Sequence, residues 1–258
     1  MTWLTKAIQS SISEAQLSKL KIINSSFDET KDIVEKLWNQ GEVDVFVGGS
    51  SNLQIIKESL NVPIVPIQIS GFDILHNLMK AKAYGEKVVI VSFEKPIANL
   101  SLYQGILNLD VREKCYSTVS GLTKWLEKLI QGHETKVTVV GSSIVCDLCD
   151  EFGINSIFIY SSDGIKNAIS QAIQIQESIQ NEKYKSKQLD AILNYAYSGI
   201  MSIDENNIIR VFNPLAEKIM GIPKEKVLNK NVTHSIENTR LDKVLLTGKE
   251  EIDQIQRV

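Results

Sequence analysis

The chain is poor in the features that mark secreted, membrane-bound or nucleic-acid-binding proteins. It has three cysteines, Cys115, Cys146 and Cys149, in 258 residues. A count so low and odd argues against a disulfide framework and fits a reducing compartment. Basic charge is not in excess: 28 Lys and Arg face 31 Asp and Glu. A basic footprint for a nucleic acid is therefore absent, and control of DNA would need a part outside this chain. The opening residues Met1 to Lys6 lack the basic-then-apolar order of a secretion signal. No apolar run approaches the roughly 18–20 residues that cross a bilayer. The expected location is the cytoplasm, with no membrane partner. Histidine is as scarce: His76, His133 and His234 stand apart. There is no G-x-S-x-G elbow and no phosphate-binding G-x-x-x-x-G-K-[ST] loop. Cys146-Asp147-Leu148-Cys149 is a C-x-x-C without a second ligand pair, and structural zinc needs four ligands. It lies within an amphipathic helical pattern, so it reads as buried structural thiols. No catalytic residue, metal or cofactor is expected.

What the chain does have is alternation. Short apolar runs read as strands at 21–24, 43–47, 62–69, 87–93, 111–117, 136–140 and 155–160. Helical patterns stand near 4–15, then at 28–38, 52–60, 72–83, 119–129 and 144–152, and from 164 onward. Lys87 to Phe93 (KVVIVSF) is continuously apolar for most of its length, which suits a parallel sheet covered on both faces. Strand-helix alternation predicts an α/β fold with parallel sheets.

Two strand ends resemble each other, Gly48-Gly49-Ser50-Ser51 and Gly141-Ser142-Ser143. This predicts two Rossmann-like α/β lobes facing a cleft. Ligands of open parallel sheets bind beyond the carboxyl ends of the strands. Backbone amides and hydroxyls at a helix N-terminus can hold a carboxylate or phosphate, although such turns are more often plain helix caps. Ser70-Gly71-Phe72-Asp73 puts an aromatic beside an acid at a strand-helix junction, with Asp73 read first as a cap. Tyr160-Ser161 closes the last strand of the pattern. The expected ligand-binding set is Gly48, Gly49, Ser50, Ser51, Ser70, Phe72, Asp73, Gly141, Ser142, Ser143, Tyr160 and Ser161.

From Ile165 the apolar residues recur in alternating steps of three and four, through Ala168, Ala172, Ile175 and Ile179 to Leu189 and Leu193. That is a heptad pattern, as in a helix packed on the first domain or in a connector pairing two subunits. A polar stretch near residue 185 suggests domains over 1–183 and 184–258. Beyond it, 199–204 and 208–212 read as a β-hairpin, and Pro214 opens a helix to Met220.

Several of these stretches carry a resemblance. Residues 43–85, with the Gly48-Gly49 turn, Pro63, Pro66 and Ser70-Gly71-Phe72-Asp73, resemble the N-terminal sensor domain of propionate catabolism activators (PrpR type). Lys87 to Val91, Gly141-Ser142-Ser143 and Ile157 to Ser161 fall where later elements of that family stand. Residues 187–258 resemble the start of a PAS domain, through Leu189 to Leu193, Gly199-Ile200, Ile203-Asp204 and Asn213 to Glu217. The resemblance implies a periplasmic-binding-protein-like sensor of an organic acid, of methylcitrate type in named members. It also implies signal transduction in a phosphorelay-type, sigma-54-dependent activator. There an ATP-binding AAA+ domain acts on sigma-54 RNA polymerase and a helix-turn-helix binds DNA. A homodimer is expected. Where the family carries arginine before the double glycine, this chain has Val47, which speaks against a tricarboxylate. The chain opens on a helix where the family opens on a strand, and it stops before an ATPase or helix-turn-helix, as a fragment or a regulator without its output would. An isomerase or racemase with two facing lobes and a pure dimerisation module are the alternatives.

Overall fold

A computed structural model describes residues 2–25, 27–85, 87–132, 137–236, 239–250 and 252. His133, Lys136 and the side chain of Ser50 lie outside that description. The chain divides into two compact units, Met1–Ser178 and Ile179–Val258.

The first unit begins with helices α1 (Trp3–Ser11), α2 (Glu14–Leu17) and α3 (Phe27–Asn39). Strand β1 (Phe46–Gly48), helix α4 (Ser50–Ser59), strand β2 (Ile64–Pro66) and helix α5 (Gly71–Tyr84) follow. Then come β3 (Lys87–Phe93), α6 (Leu100–Leu107), β4 (Asp110–Tyr116), α7 (Val119–Gln131), β5 (Val137–Gly141), α8 (Ser143–Glu151) and β6 (Ser156–Phe158). Helix α9 (Ser162–Asn194) starts in this unit.

The strands form two parallel sheets, one of β1 and β2 and one in the order β4-β3-β5-β6. The architecture is α/β with two lobes. The larger sheet shows why its strands are continuously apolar. Along β3, Val88 and Ile90 enter one core cluster while Val89 and Val91 enter another. The first cluster is covered by Ile74, Leu78 and Ala81 of α5 and by Ile165, Ala168 and Ile169 of α9. The second is covered by Leu122 and Leu126 of α7 and by Val145 and Cys149 of α8. The first cluster also takes in Val65 of β2 and Ile67 just after it, so one apolar body joins the two lobes.

Three expectations are corrected. Lys21 to Asn24 is not a strand, because among the described residues no other segment pairs with it. It is held by side chains instead: the Thr5 hydroxyl donates to Asn24 Oδ1 at 2.8 Å, and Lys21 pairs with Glu42 at 2.6 Å. β1 and β2 are shorter than the apolar runs that contain them, since their ladder covers three residues of each. α6 was not anticipated. Its sequence LSLYQGIL sets Ser101, Gln104 and Gly105 on one face and its apolar residues on the other, but over only eight residues, and it leaves Leu102 and Ile106 exposed.

The second unit contains an antiparallel hairpin of β7 (Met201–Ile203) and β8 (Ile209–Phe212). Helices α10 (Pro214–Met220), α11 (Lys224–Val227), α12 (Val232–Ser235) and α13 (Leu241–Thr247) follow. Ile209, Phe212, Ala216, Val227, Val232 and Ile236 form its own core. Asn213 caps α10, with Pro214 in the first turn as its fixed φ favours.

Candidate functional site

Helices α1, α5, α7 and α10 each have a side chain capping the N-terminus: Thr2, Ser70, Thr118 and Asn213. α4 and α8 do not. Their N-cap residues, Gly49 and Ser142, make no side-chain cap bond. These are the two helices that follow the glycine-ended strands β1 and β5. Among the described residues no side chain takes up their first amides, and the positive ends of the helix dipoles lie behind them.

Two tyrosines stand at this place. Tyr116 ends β4 and is 5 % exposed, and Tyr160 follows β6 and is 7 % exposed. The edge of one ring meets Phe93 and the other meets Phe158, each at 5.4 Å between centroids. The Tyr160 hydroxyl lies against Gly49: a Cβ there would sit 2.6 Å from it, which is why that position takes glycine. The Tyr116 hydroxyl and Ser142 Oγ are buried without a hydrogen-bond partner among the described residues. Burial pushes the Tyr116 phenol above its ordinary value. The nearby Ser142 and Ser51 hydroxyls offset part of that rise, and Tyr160 adds to it. Buried polar groups are almost always paired, and leaving one unpaired costs about 1–3 kcal/mol. A buried tyrosine hydroxyl close to two serine hydroxyls, beside two helix starts without side-chain caps, suits a small polar or anionic guest.

The expected residues fall into two groups and one outlier. Gly49, Ser51, Ser142 and Tyr160 gather with Tyr116 at the strand ends, and Gly48 and Gly141 are the buried last residues of β1 and β5. Ser70, Phe72, Asp73 and Ser161 line a separate cavity of about 360 Å³, together with Asn167 and Gln171 of α9. Ser143 is the outlier. Its hydroxyl accepts from the Leu4 amide at 3.1 Å and donates to Asp147 at 3.1 Å, so it anchors α1. Trp3 joins that anchor, with its indole N–H donating to Asp150 at 2.7 Å.

In the second cavity, Ser70 and Asp73 form a reciprocal capping box. The Ser70 amide donates to Asp73 Oδ2 at 2.8 Å and the Asp73 amide to Ser70 Oγ at 3.1 Å. Burial alone would raise the Asp73 carboxyl. The Ser70 amide and hydroxyl, the Ser161 hydroxyl and nearby His76 outweigh it and hold the carboxyl below its ordinary value. A carboxyl depressed on folding stabilises above its unfolded pKa and loses that effect as pH falls through the folded one. Asp73→Asn should therefore cost about 1 kcal/mol at neutral pH, the usual worth of a cap. The gap to wild type should close in acid, which urea melts along a pH series would measure. Phe72 is 73 % exposed and lies nearly parallel to the His76 ring, 6.0 Å away.

Tyr116 was missed from sequence. Cys115-Tyr116 reads only as the end of a weak strand, although the rule that ligands gather beyond parallel strand ends applies to β4 as it does to β1. Cys146 and Cys149 are fully buried in α8, and burial pushes both thiols up to about 12. They are not thiolates at neutral pH. Among the described residues no group of His, Cys, Asp and Glu could hold a metal ion.

Two parallel sheets with an open polar cluster at their strand ends, followed by a small hairpin-and-helix unit, define a sensory regulatory region. The family model of the propionate catabolism activator matches residues 14–182, and the chain belongs to that family. The PAS fold model matches residues 187–256. The crystal structure of an NtrC family transcriptional regulator from Clostridium acetobutylicum shares the fold at 21 % identity and a TM-score of 0.53, over 68 % of this chain and 91 % of that one. A sensor protein, CitS, from Halalkalibacterium halodurans is 34 % identical over 74 residues, which are 28 % of this chain and 14 % of that protein. The chain thus spans only a small part of this relative's length. No helix among the described residues is long and apolar enough to cross a membrane.

Proposed function

We propose that the first unit senses a small acidic metabolite, an organic acid with one or two carboxylates, held at the strand ends by the α4 and α8 amides and the hydroxyls of Ser51, Ser142, Tyr116 and Tyr160. The observation that carries this is the buried cluster of the Tyr116, Ser142 and Ser51 hydroxyls between two helix starts that have no side-chain cap. Val47 supplies no guanidinium to pair with a third carboxylate. The protein acts in the cytoplasm as the signal-receiving part of a sigma-54-dependent activator. ATP hydrolysis and DNA binding belong to domains outside this chain. A homodimer forms along α9, where Tyr184, Leu189 and Ile192 leave large apolar surfaces exposed.

A ligand that binds only the folded state raises the melting temperature by mass action. Wild-type protein should show such a rise with propionate or succinate, and a smaller one or none with the tricarboxylates methylcitrate and citrate. Tyr116→Phe combined with Ser142→Ala should melt at or above the wild-type temperature without ligand, because both open hydroxyls are removed. The ligand-induced rise should disappear. A full rise in the double variant, or none with any acid in a cooperatively melting wild type, would reject the site.

The isomerase or racemase alternative gains nothing from the cysteines, which are buried and protonated. The dimerisation module is compatible with sensing, since α9 and the strand-end cluster share no residue.

A further inference from the structure

The carboxyl end of β3 carries a glutamate in a conformation that glutamate seldom takes. Glu94 follows the last residue of the strand and has a φ of 55°. The Lys95 amide donates to the Phe93 carbonyl at 2.6 Å, which closes a three-residue turn around Glu94. With positive φ this is the rare and strained form of such a turn. The other described residues with positive φ, glycine aside, are Asn99, Asn108, Asn207 and Asn229. Asparagine enters this region several times more readily than most side chains. The turn alone would be better served by glycine or asparagine, and strain kept at such a place often belongs to a binding site.

Its neighbours put the Glu94 carboxylate beside the strand-end cluster. The Glu94 amide donates to the Tyr116 carbonyl at 2.8 Å, and Phe93 is the register partner of Tyr116. From α4, the Gln54 side-chain amide donates to Glu94 Oε2 at 2.6 Å. Gln54 stands three residues beyond Ser51, on the same side of the helix and about 4.5 Å further along its axis. The Ser51 hydroxyl is close to that of Tyr116. Glu94 is exposed, so a guest can reach it. Among the described residues no lysine, arginine or histidine pairs with it. A negative charge so near the buried Tyr116 and Ser142 hydroxyls opposes a plain anion, unless the guest brings a positive charge of its own.

We propose, building on the sensor reading above, that the guest is a small α-amino acid, with its carboxylate at the α4 and α8 helix starts and its ammonium group donating to Glu94. The two charges of an α-amino acid sit on one carbon. With a hydrogen bond at each end they bridge roughly one helical turn, the step from the first α4 amides to Gln54 and Glu94. Gln54 takes up Oε2 and leaves Oε1 to accept from the ammonium group. Glu94 is then the specificity-determining residue: it repels the plain acid and attracts the zwitterion.

Two matched pairs of probes test this on the full chain, alanine against propionate and aspartate against succinate. Within each pair only an ammonium group differs. Titration calorimetry should show at least one of the amino acids bound at least tenfold more tightly than its partner. Glu94→Gln keeps the length of the side chain and can still accept from Gln54, so it removes the charge alone. The amino acid's affinity should fall, that of the plain acid should rise, and the two should converge. Glu94→Asn also removes the charge but suits the turn, so it should melt at or above the wild-type temperature and lose the same preference. Amino acids bound no more tightly than their partners, or a preference that survives in both variants, would overturn the ammonium contact while plain acid binding still supports the sensor reading. No binding of any of the four probes by cooperatively melting protein would overturn both.

Discussion

Asn213→Ala is expected to remove about 3–5 kcal/mol from the second unit, enough to unfold much of it. The side chain is 3 % exposed and uses its full bonding capacity. Oδ1 accepts from the Ile200 amide at 2.8 Å and the Ala216 amide at 2.9 Å. Nδ2 donates to the carbonyls of Leu193 at 3.0 Å and Ser198 at 2.9 Å. One amide group thus ties the end of α9, the loop into β7 and the start of α10. Alanine would leave four backbone groups without this partner at once; the buried Ala216 amide bears the full cost of about 1–3 kcal/mol, and the three part-buried groups less. Small domains have only about 5–15 kcal/mol to lose. Asn213→Asp keeps both acceptors, loses both donors and should fall between. Hydrogen exchange at the β8 amides reads the effect, and wild-type protection in the alanine variant would show that water replaces the side chain at little cost.

Gly141→Ala should be the most damaging single change in the first unit for its size. A Cβ at Gly141 would stand 2.6 Å from Val145 Cγ1 and 2.7 Å from its Cβ. Val145 is fully buried in the first turn of α8, so the helix itself must move. Overpacking of this kind costs about 1–3 kcal/mol, which lowers the melting temperature of a unit this size by several degrees. The shift would also carry Ser142 and the α8 amides away from Tyr116. Acid binding should then weaken at least tenfold, even at temperatures where the variant is folded. Unchanged affinity at full stability would mean that the β5–α8 turn has no part in the site.

Legibility followed the physics of each segment. Lys87 to Phe93 was legible because a central parallel strand is buried on both faces along its middle, here Val88 to Val91. Lys21 to Asn24 has the same short apolar character, yet a strand exists only where another pairs with it, and pairing is not written in four residues. α6 escaped because eight residues make barely two turns, too short a window for its apolar face to stand out. The glycine turns were readable because turn chemistry is local. The separation of Ser70, Phe72, Asp73 and Ser161 from the strand-end cluster was not readable, since it depends on how α5 and α9 pack. Tyr116 fell between these cases: its place at a strand end could be guessed, but its burial could not.

The apolar cluster that takes in Val65 and Ile67 beside one sheet and Val88 and Val140 of the other has a mechanical consequence. Two lobes that share an unbroken interior cannot swing apart without wetting it. A guest at the strand ends would then leave the radius of gyration of this unit nearly as it was. Its arrival would register as stiffness, in slower amide exchange and damped fluctuations along the α5 and α9 faces that wall the common interior.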